Sequence, residues 1–245
     1  MPQIIFYIIV YIIGVLIGSF LTLAIYRIPK KENITHTRSY CPHCNHRLNF
    51  LDLIPIISYI ILKGKCRYCN EKIGSRYIKI ELLSGLLYTL TIYSFKLNLY
   101  TLTISQLIFL IFVSIYYTVI MILAGIEKET KKISKSVLCF GIVIQIIYMT
   151  YLYILDISIY RYIIYLVAVL LLILISKKES TPLMFAIAIF SLILVNNSIG
   201  LIISAILSII NIIIYYLFTS NKHMYPVFNI CITNAIILIV TNLIS

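Results

Sequence analysis

Four cysteines carry the clearest chemistry in this chain. They fall in two pairs, Cys41-x2-Cys44 and Cys66-x2-Cys69, separated by 21 residues. Each pair puts two thiolates on one side of a tight turn, and two such turns make the tetrahedral shell of a Zn²⁺ ion. A disulfide pairing is the competing reading, and a reducing compartment disfavours it. Four thiolates leave no open coordination position, so the metal is expected to be structural and the reaction chemistry to lie elsewhere. His43 and His46 lie beside the pairs but are not needed as ligands, while Cys139 and Cys231 sit in apolar runs and read as packing residues. Carboxylates form the second set, and there are only eight. Glu32, Asp52, Glu71 and Glu81 belong to the cysteine-bearing part, Asp156 stands alone, and Glu127, Glu129 and Glu179 lie among lysines in short polar segments.

Those segments are islands in an apolar chain. Of 245 residues 62% are hydrophobic and 11% charged, with a mean hydropathy of +1.04. A soluble domain is nearer half apolar and a quarter charged. An integral membrane protein follows. About 20 apolar residues cross a bilayer as helix, and runs between charges give candidate spans at 3–26, 81–95, 102–126, 136–155, 159–176, 183–196, 199–219 and 226–244. The runs lack the short apolar–polar alternation of barrel strands, so the expected class is an all-α polytopic membrane protein of about eight transmembrane helices. The first span has no small-residue cleavage site and is expected to be retained.

The cations fix an expected orientation. If residues 27–80 are cytoplasmic, that side also receives 127–135, 177–182 and 220–225, and together these hold 18 of the 20 Lys and Arg residues. This asymmetry obeys the positive-inside rule. The net charge of +12 then reports topology and attraction to anionic lipid, not nucleic-acid binding. Between the cysteine pairs, LDLIPIISYIIL is apolar but too short to cross, and Pro55 interrupts any helix. An interfacial or re-entrant hairpin that brings the two pairs together is expected. The domain reading is a first transmembrane helix at 1–27, a cytoplasmic zinc-binding module at 28–80 and a membrane helical bundle at 81–245.

The segments GSFLTLAIYRIP (18–29) and RSYCPHCNHRLNFLDLIPIISYIILKGKCRYCNEKIGSRYIKIELLSGLLY (38–88) resemble the amino-terminal half of bacterial type IV prepilin peptidases. The shared order is a span ending in Tyr-Arg-x-Pro, CPxC, an Asp-x-Ile-Pro hairpin, Lys-Cys-x-x-Cys, Ile-x-x-Arg-Tyr and Glu-Leu opening the next span. Thr22 stands where the family usually has Asn. The resemblance implies a bacterial inner-membrane leader peptidase and N-methyltransferase, acting on prepilins or pseudopilins at the cytoplasmic face with S-adenosylmethionine as methyl donor. It also implies aspartic-type chemistry, in which two carboxylates share a proton and one serves as base on a water.

In the register the resemblance implies, Glu127 stands at the first catalytic position in place of an aspartate, with Ser134 and Lys135 replacing a Pro-Asp pair. The second position falls in SKKESTPLMFAIAIF (176–190), on Glu179 in one register and Thr181 in another, and this segment lacks the family's glycines and aspartate. The expected dyad is Glu127 with Glu179. Two other readings stand beside it: a degenerate relative that binds prepilins or assists an active peptidase, and a zinc-ribbon membrane scaffold or transporter. No histidine lies in a recognisable nucleophile elbow, and no glycine loop suited to phosphate is visible.

Overall fold

A computed structural model describes residues 2–36, 38–97, 99–155 and 225–244, with isolated helical positions at 203, 206, 207, 210 and 214. The described residues form helices and no strand, apart from two isolated antiparallel bridges, Tyr40 with Arg47 and Lys65 with Lys72. Three of the helices are long and apolar enough to cross a membrane: Pro2–Lys30, Ile104–Thr130 and Lys135–Ile154. The expected spans at 159–176 and 183–196 lie outside the described residues, as does most of 199–219. The chain divides into two compact units, Met1–Thr101 and Leu102–Ser245.

The first unit is built on α1 (Pro2–Arg27) and α3 (Arg76–Ser94). Small residues let their backbones meet. A Cβ on Gly14 would stand 2.8 Å from the Gly85 Cα, and one on Gly18 would stand 2.8 Å from the Glu81 Cα. Gly14-x3-Gly18 is thus a small-residue seam of the kind that packs membrane helices. Arg27 ends α1 without reaching water: it is 2% exposed, donates to the Asn33 and Arg38 carbonyls and pairs with Glu32 at 3.8 Å. Between α1 and α3 lie the cysteine turns and the hairpin, which contains a 3₁₀ turn at Phe50–Asp52 and α2 (Ile57–Ile61). α3 begins at Arg76, five residues before the expected 81, because its first turns carry the charges Arg76, Lys79 and Glu81 that end an apolar run.

The second unit contains α4 (Ile104–Thr130), α5 (Lys135–Ile154) and α6 (Pro226–Ile244). Thr103 and Gln106 form a reciprocal cap at the start of α4. The Phe112 and Tyr148 rings stack at 3.9 Å between α4 and α5, while Tyr116, Tyr117, Ile120 and Leu123 of α4 are buried with Ile230 and Leu238 of α6. α4 outruns the expected span, continuing past residue 126 to Thr130 and closing on Lys131 in the left-handed conformation, φ 56°. The connector to α5 is therefore the four residues 131–134.

Candidate functional site

The four cysteines converge. Their sulfurs all lie within 4.8 Å of one another, and Cys41 Sγ stands 3.9 Å from Cys69 Sγ. Sulfurs around a tetrahedral zinc at about 2.3 Å are separated by about 3.8 Å, so the donor set and its spacing fit that ion. The two turns are built alike. Cys41 N–H donates to the His46 carbonyl and Asn45 N–H to the Cys41 carbonyl; Cys66 N–H donates to the Glu71 carbonyl and Asn70 N–H to the Cys66 carbonyl. Asn45 and Asn70 take positive φ, 55° and 57°, which asparagine tolerates better than most residues. All six cysteines of the chain are free thiols. The Glu71 backbone pulls the Cys69 thiol down, but burial and its three sulfur neighbours outweigh it and push it up to about 12. A divalent ion removes that conflict, because bound thiols are deprotonated. His43 and His46 supply no atom to the cluster; the His46 ring lies 3.7 Å from the Tyr68 ring.

Asp52 ties the hairpin to the second turn. Its carboxylate accepts from Arg67 Nε at 2.6 Å, from the Tyr68 hydroxyl at 3.1 Å and from the Asn49 N–H at 3.1 Å. Burial alone would raise this carboxyl, yet the Arg67, Asn49 and Tyr68 donors outweigh it and hold it below the usual carboxylate range. The aspartate of the Asp-x-Ile-Pro motif is thus a fastener for the metal module. Beside the module the first unit holds a cavity of about 430 Å³, lined by Thr22 and Tyr26 of α1, Ser58 and Tyr59 of the hairpin and Glu81 of α3, among others. Glu81 is 8% exposed and accepts the Ile56 N–H on Oε2 at 2.8 Å. Thr22 donates its hydroxyl to the Ser19 carbonyl within its own helix, at 2.7 Å.

In the second unit Glu127 is 5% exposed. Its Oε1 accepts the Val227 N–H at 3.1 Å and its Oε2 the Phe228 N–H at 2.8 Å. Pro226, which has no N–H, opens α6, and the next two amides are donors that no helical partner can satisfy. Glu127 caps them both and meets the positive end of the helix dipole. Its neighbours turn outward: Glu129 and Lys128 are exposed, and Lys128 Nζ sits 4.8 Å from the centre of the Phe228 ring. Glu179, Thr181 and Asp156 lie outside the described residues. The four cysteines singled out by their spacing are brought together, while the roles of Asp52 and Glu81 were not read from the sequence, because their partners lie 15 and 25 residues away.

Residues 12–95 match the family model described as the Bacterial Peptidase A24 N-terminal domain. The Prepilin leader peptidase/N-methyltransferase of Myxococcus xanthus is 40% identical over 83 residues, covering 34% of this chain and 25% of that protein. The protein of the same name from Vibrio cholerae is 39% identical over 79 residues, covering 29% of this chain and 31% of that one. The Type 4 prepilin-like proteins leader peptide-processing enzyme of Escherichia coli O78:H11 is 37% identical over 95 residues, 31% of this chain and 35% of that protein. The chain therefore spans between 25 and 35% of the length of these curated relatives. No solved structure matches. With its paired cysteines, Asp-x-Ile-Pro hairpin and Glu81-bearing helix inside the matched segment, the amino-terminal region of this chain is similar to the corresponding part of the prepilin leader peptidases.

Proposed function

We propose that this protein is a prepilin leader peptidase-like membrane enzyme, cleaving the leader of type IV prepilins or pseudopilins at the cytoplasmic membrane face. The observation that carries the reading is Glu127: a buried carboxylate at the charged end of a membrane helix, oriented through both oxygens by main-chain donors. In an aspartic-type reaction one carboxylate takes a proton from water as that water attacks the scissile carbonyl, and the other gives its proton to the carbonyl oxygen; the proton taken from water then passes to the leaving amine as the C–N bond breaks. Glu127 supplies one member and Glu179 the other. Clustered lysines on the same connectors are those expected on the cytoplasmic side, where a leader would be cut. The four-thiolate zinc module keeps the amino-terminal region folded and takes no part in bond cleavage. The N-methyltransferase part of the relatives' names brings S-adenosylmethionine as the methyl donor. Its binding residues are not assigned, and no step of the cleavage depends on it.

Co-expression with a prepilin from the same genome, followed by mass spectrometry of the pilin, tests this reading. Leader removal by the native chain and its loss in the Glu127→Ala, Glu179→Ala double variant are the expected results. Cleavage that persists in the double variant overturns the dyad, and an intact leader with native protein and retained prepilin binding overturns the peptidase assignment.

A further inference from the structure

The hairpin between the cysteine turns has two unlike faces. Ser58, Tyr59 and Leu62 line the cavity of the first unit. Ile57, Ile60 and Ile61, spaced to share the opposite side of a helical turn, are 54 to 68% exposed, and Phe50 and Leu51 are 81 and 64% exposed. Five large apolar side chains in one short segment make an exposed patch that a water-facing surface rarely carries.

The depth of the hairpin says what covers that patch. Ile56 donates its N–H to Glu81, and the Glu81 Cα meets α1 at Gly18. Gly18 lies nine residues before Arg27, the charged end of α1, so at 1.5 Å per residue it is about 13 Å along the helix towards the membrane side. The Glu81 side chain leans back towards the start of α3 and returns part of that distance. The turn at Ile56 therefore sits roughly 10 Å, about two helical turns, inside the level of Arg27. At that depth α1 also exposes Leu16 and Phe20, so the hairpin patch lies level with apolar side chains of a membrane-crossing helix. Arg47 precedes the hairpin segment and Lys63 and Lys65 follow it, cations of the kind that favour an anionic lipid surface.

The backbone is suited to this depth. Ile56 takes φ 61° and ψ −52°, a tight turn closed by Ile57 N–H to the Pro55 carbonyl at 2.6 Å. Such a turn strains a β-branched residue by on the order of 1–3 kcal/mol and needs surroundings that hold it. Its N–H groups do not face lipid: Pro55 has none, Ile56 uses Glu81, and Ser58 and Ile60 donate to Ile54 and Ile56. Irregular backbone is tolerated within a bilayer only when satisfied in this way.

We infer that the hairpin is re-entrant: it dips into the leaflet at the Arg27 end of α1, with Phe50, Leu51, Ile57, Ile60 and Ile61 among the acyl chains, and Glu81 is the positioning residue that holds it there. The inference stands apart from the peptidase reading and is tested without any pilin.

The chain has no tryptophan, so single-tryptophan variants report without background. Ile60→Trp, Phe20→Trp and His36→Trp chains would be reconstituted in vesicles of phosphatidylglycerol and phosphatidylcholine brominated at defined acyl positions. The Ile60→Trp fluorescence is expected to be quenched by acyl bromines as strongly as that of Phe20→Trp, and several-fold more than that of His36→Trp. Quenching like that of His36→Trp, with ready access to aqueous iodide, overturns the inference and leaves the patch to a soluble partner. In the Ile60→Trp background, Glu81→Gln keeps an acceptor oxygen and should preserve the quenching. Glu81→Leu should lower it about two-fold or more as the tip rises towards the headgroups. Unchanged quenching in Glu81→Leu overturns the positioning role. Metal content measured on the same samples separates loss of the hairpin's depth from loss of the whole module.

Discussion

Two glutamates buried on membrane helices do similar hydrogen-bonding work on unlike partners. Glu81 gives one oxygen to the N–H of an irregular turn, while Glu127 gives both oxygens to the regular start of a helix. The turn at Ile56 is strained and sits between the two cysteine turns, so the first site depends on a scaffold that surrounds it. The start of α6 has two open donors by construction, so Glu127 completes a helix that is otherwise sound. The difference separates a carboxylate that imposes a conformation from one that is itself fixed by a conformation.

The largest effect that breaks the comparison is on the metal. Structural four-thiolate zinc sites contribute an apparent 10–16 kcal/mol to folding at neutral pH. Cys41→Ser, or treatment with a strong chelator, should strip the ion and raise amide hydrogen exchange throughout residues 38–75, measured by mass spectrometry. Amides 227 and 228, capped by Glu127, should keep their protection. Metal content unchanged in Cys41→Ser contradicts the four-thiolate site.

Next in size is Glu127→Ala. It leaves two buried N–H groups unpaired, at about 1–3 kcal/mol each, so exchange at Val227 and Phe228 should rise while residues 38–75 stay unaffected. Glu127→Gln keeps one acceptor oxygen and should lie between the native chain and Glu127→Ala. Equal protection in all three chains would remove the capping role.

The smallest effect concerns Asp52. Its carboxyl is held below its ordinary value in the folded chain. Its contribution is therefore complete above the unfolded value near 4 and is lost only as pH falls through the lower folded value. Protection factors in residues 49–68, which remove the intrinsic pH dependence of exchange, should fall more steeply below about pH 4 in the native chain than in Asp52→Asn, because release of the metal by acid is common to both. Because Arg67 is partly exposed, salt should weaken the effect.

Much of this was legible in the sequence because it depends on local spacing. The CxxC pairs declared their own turns, and apolar runs located α1, α4 and α5. Helix ends were less legible, since counting apolar residues stops at the first charge. Arg76 and Lys79 hid the start of α3, and Glu127 hid the last turn of α4 because buried and solvated glutamates look the same in a sequence. Gly14-x3-Gly18 is legible in the sequence, since two glycines four apart in a membrane helix are a packing signal. The bonds of Glu81 to Ile56 and Glu127 to Val227 and Phe228 were beyond any local rule, because they join residues 25 to 101 positions apart.

Leader cleavage by Glu127→Gln protein tests the central claim most directly, because this change removes the acid–base group and keeps its shape. With prepilin in the same membrane, the account predicts that the native chain removes the leader. The Glu127→Gln chain, matched for metal content and for amount in the membrane, should leave it intact. Equal cleavage by both would show that Glu127 is a helix cap alone and contradict the account.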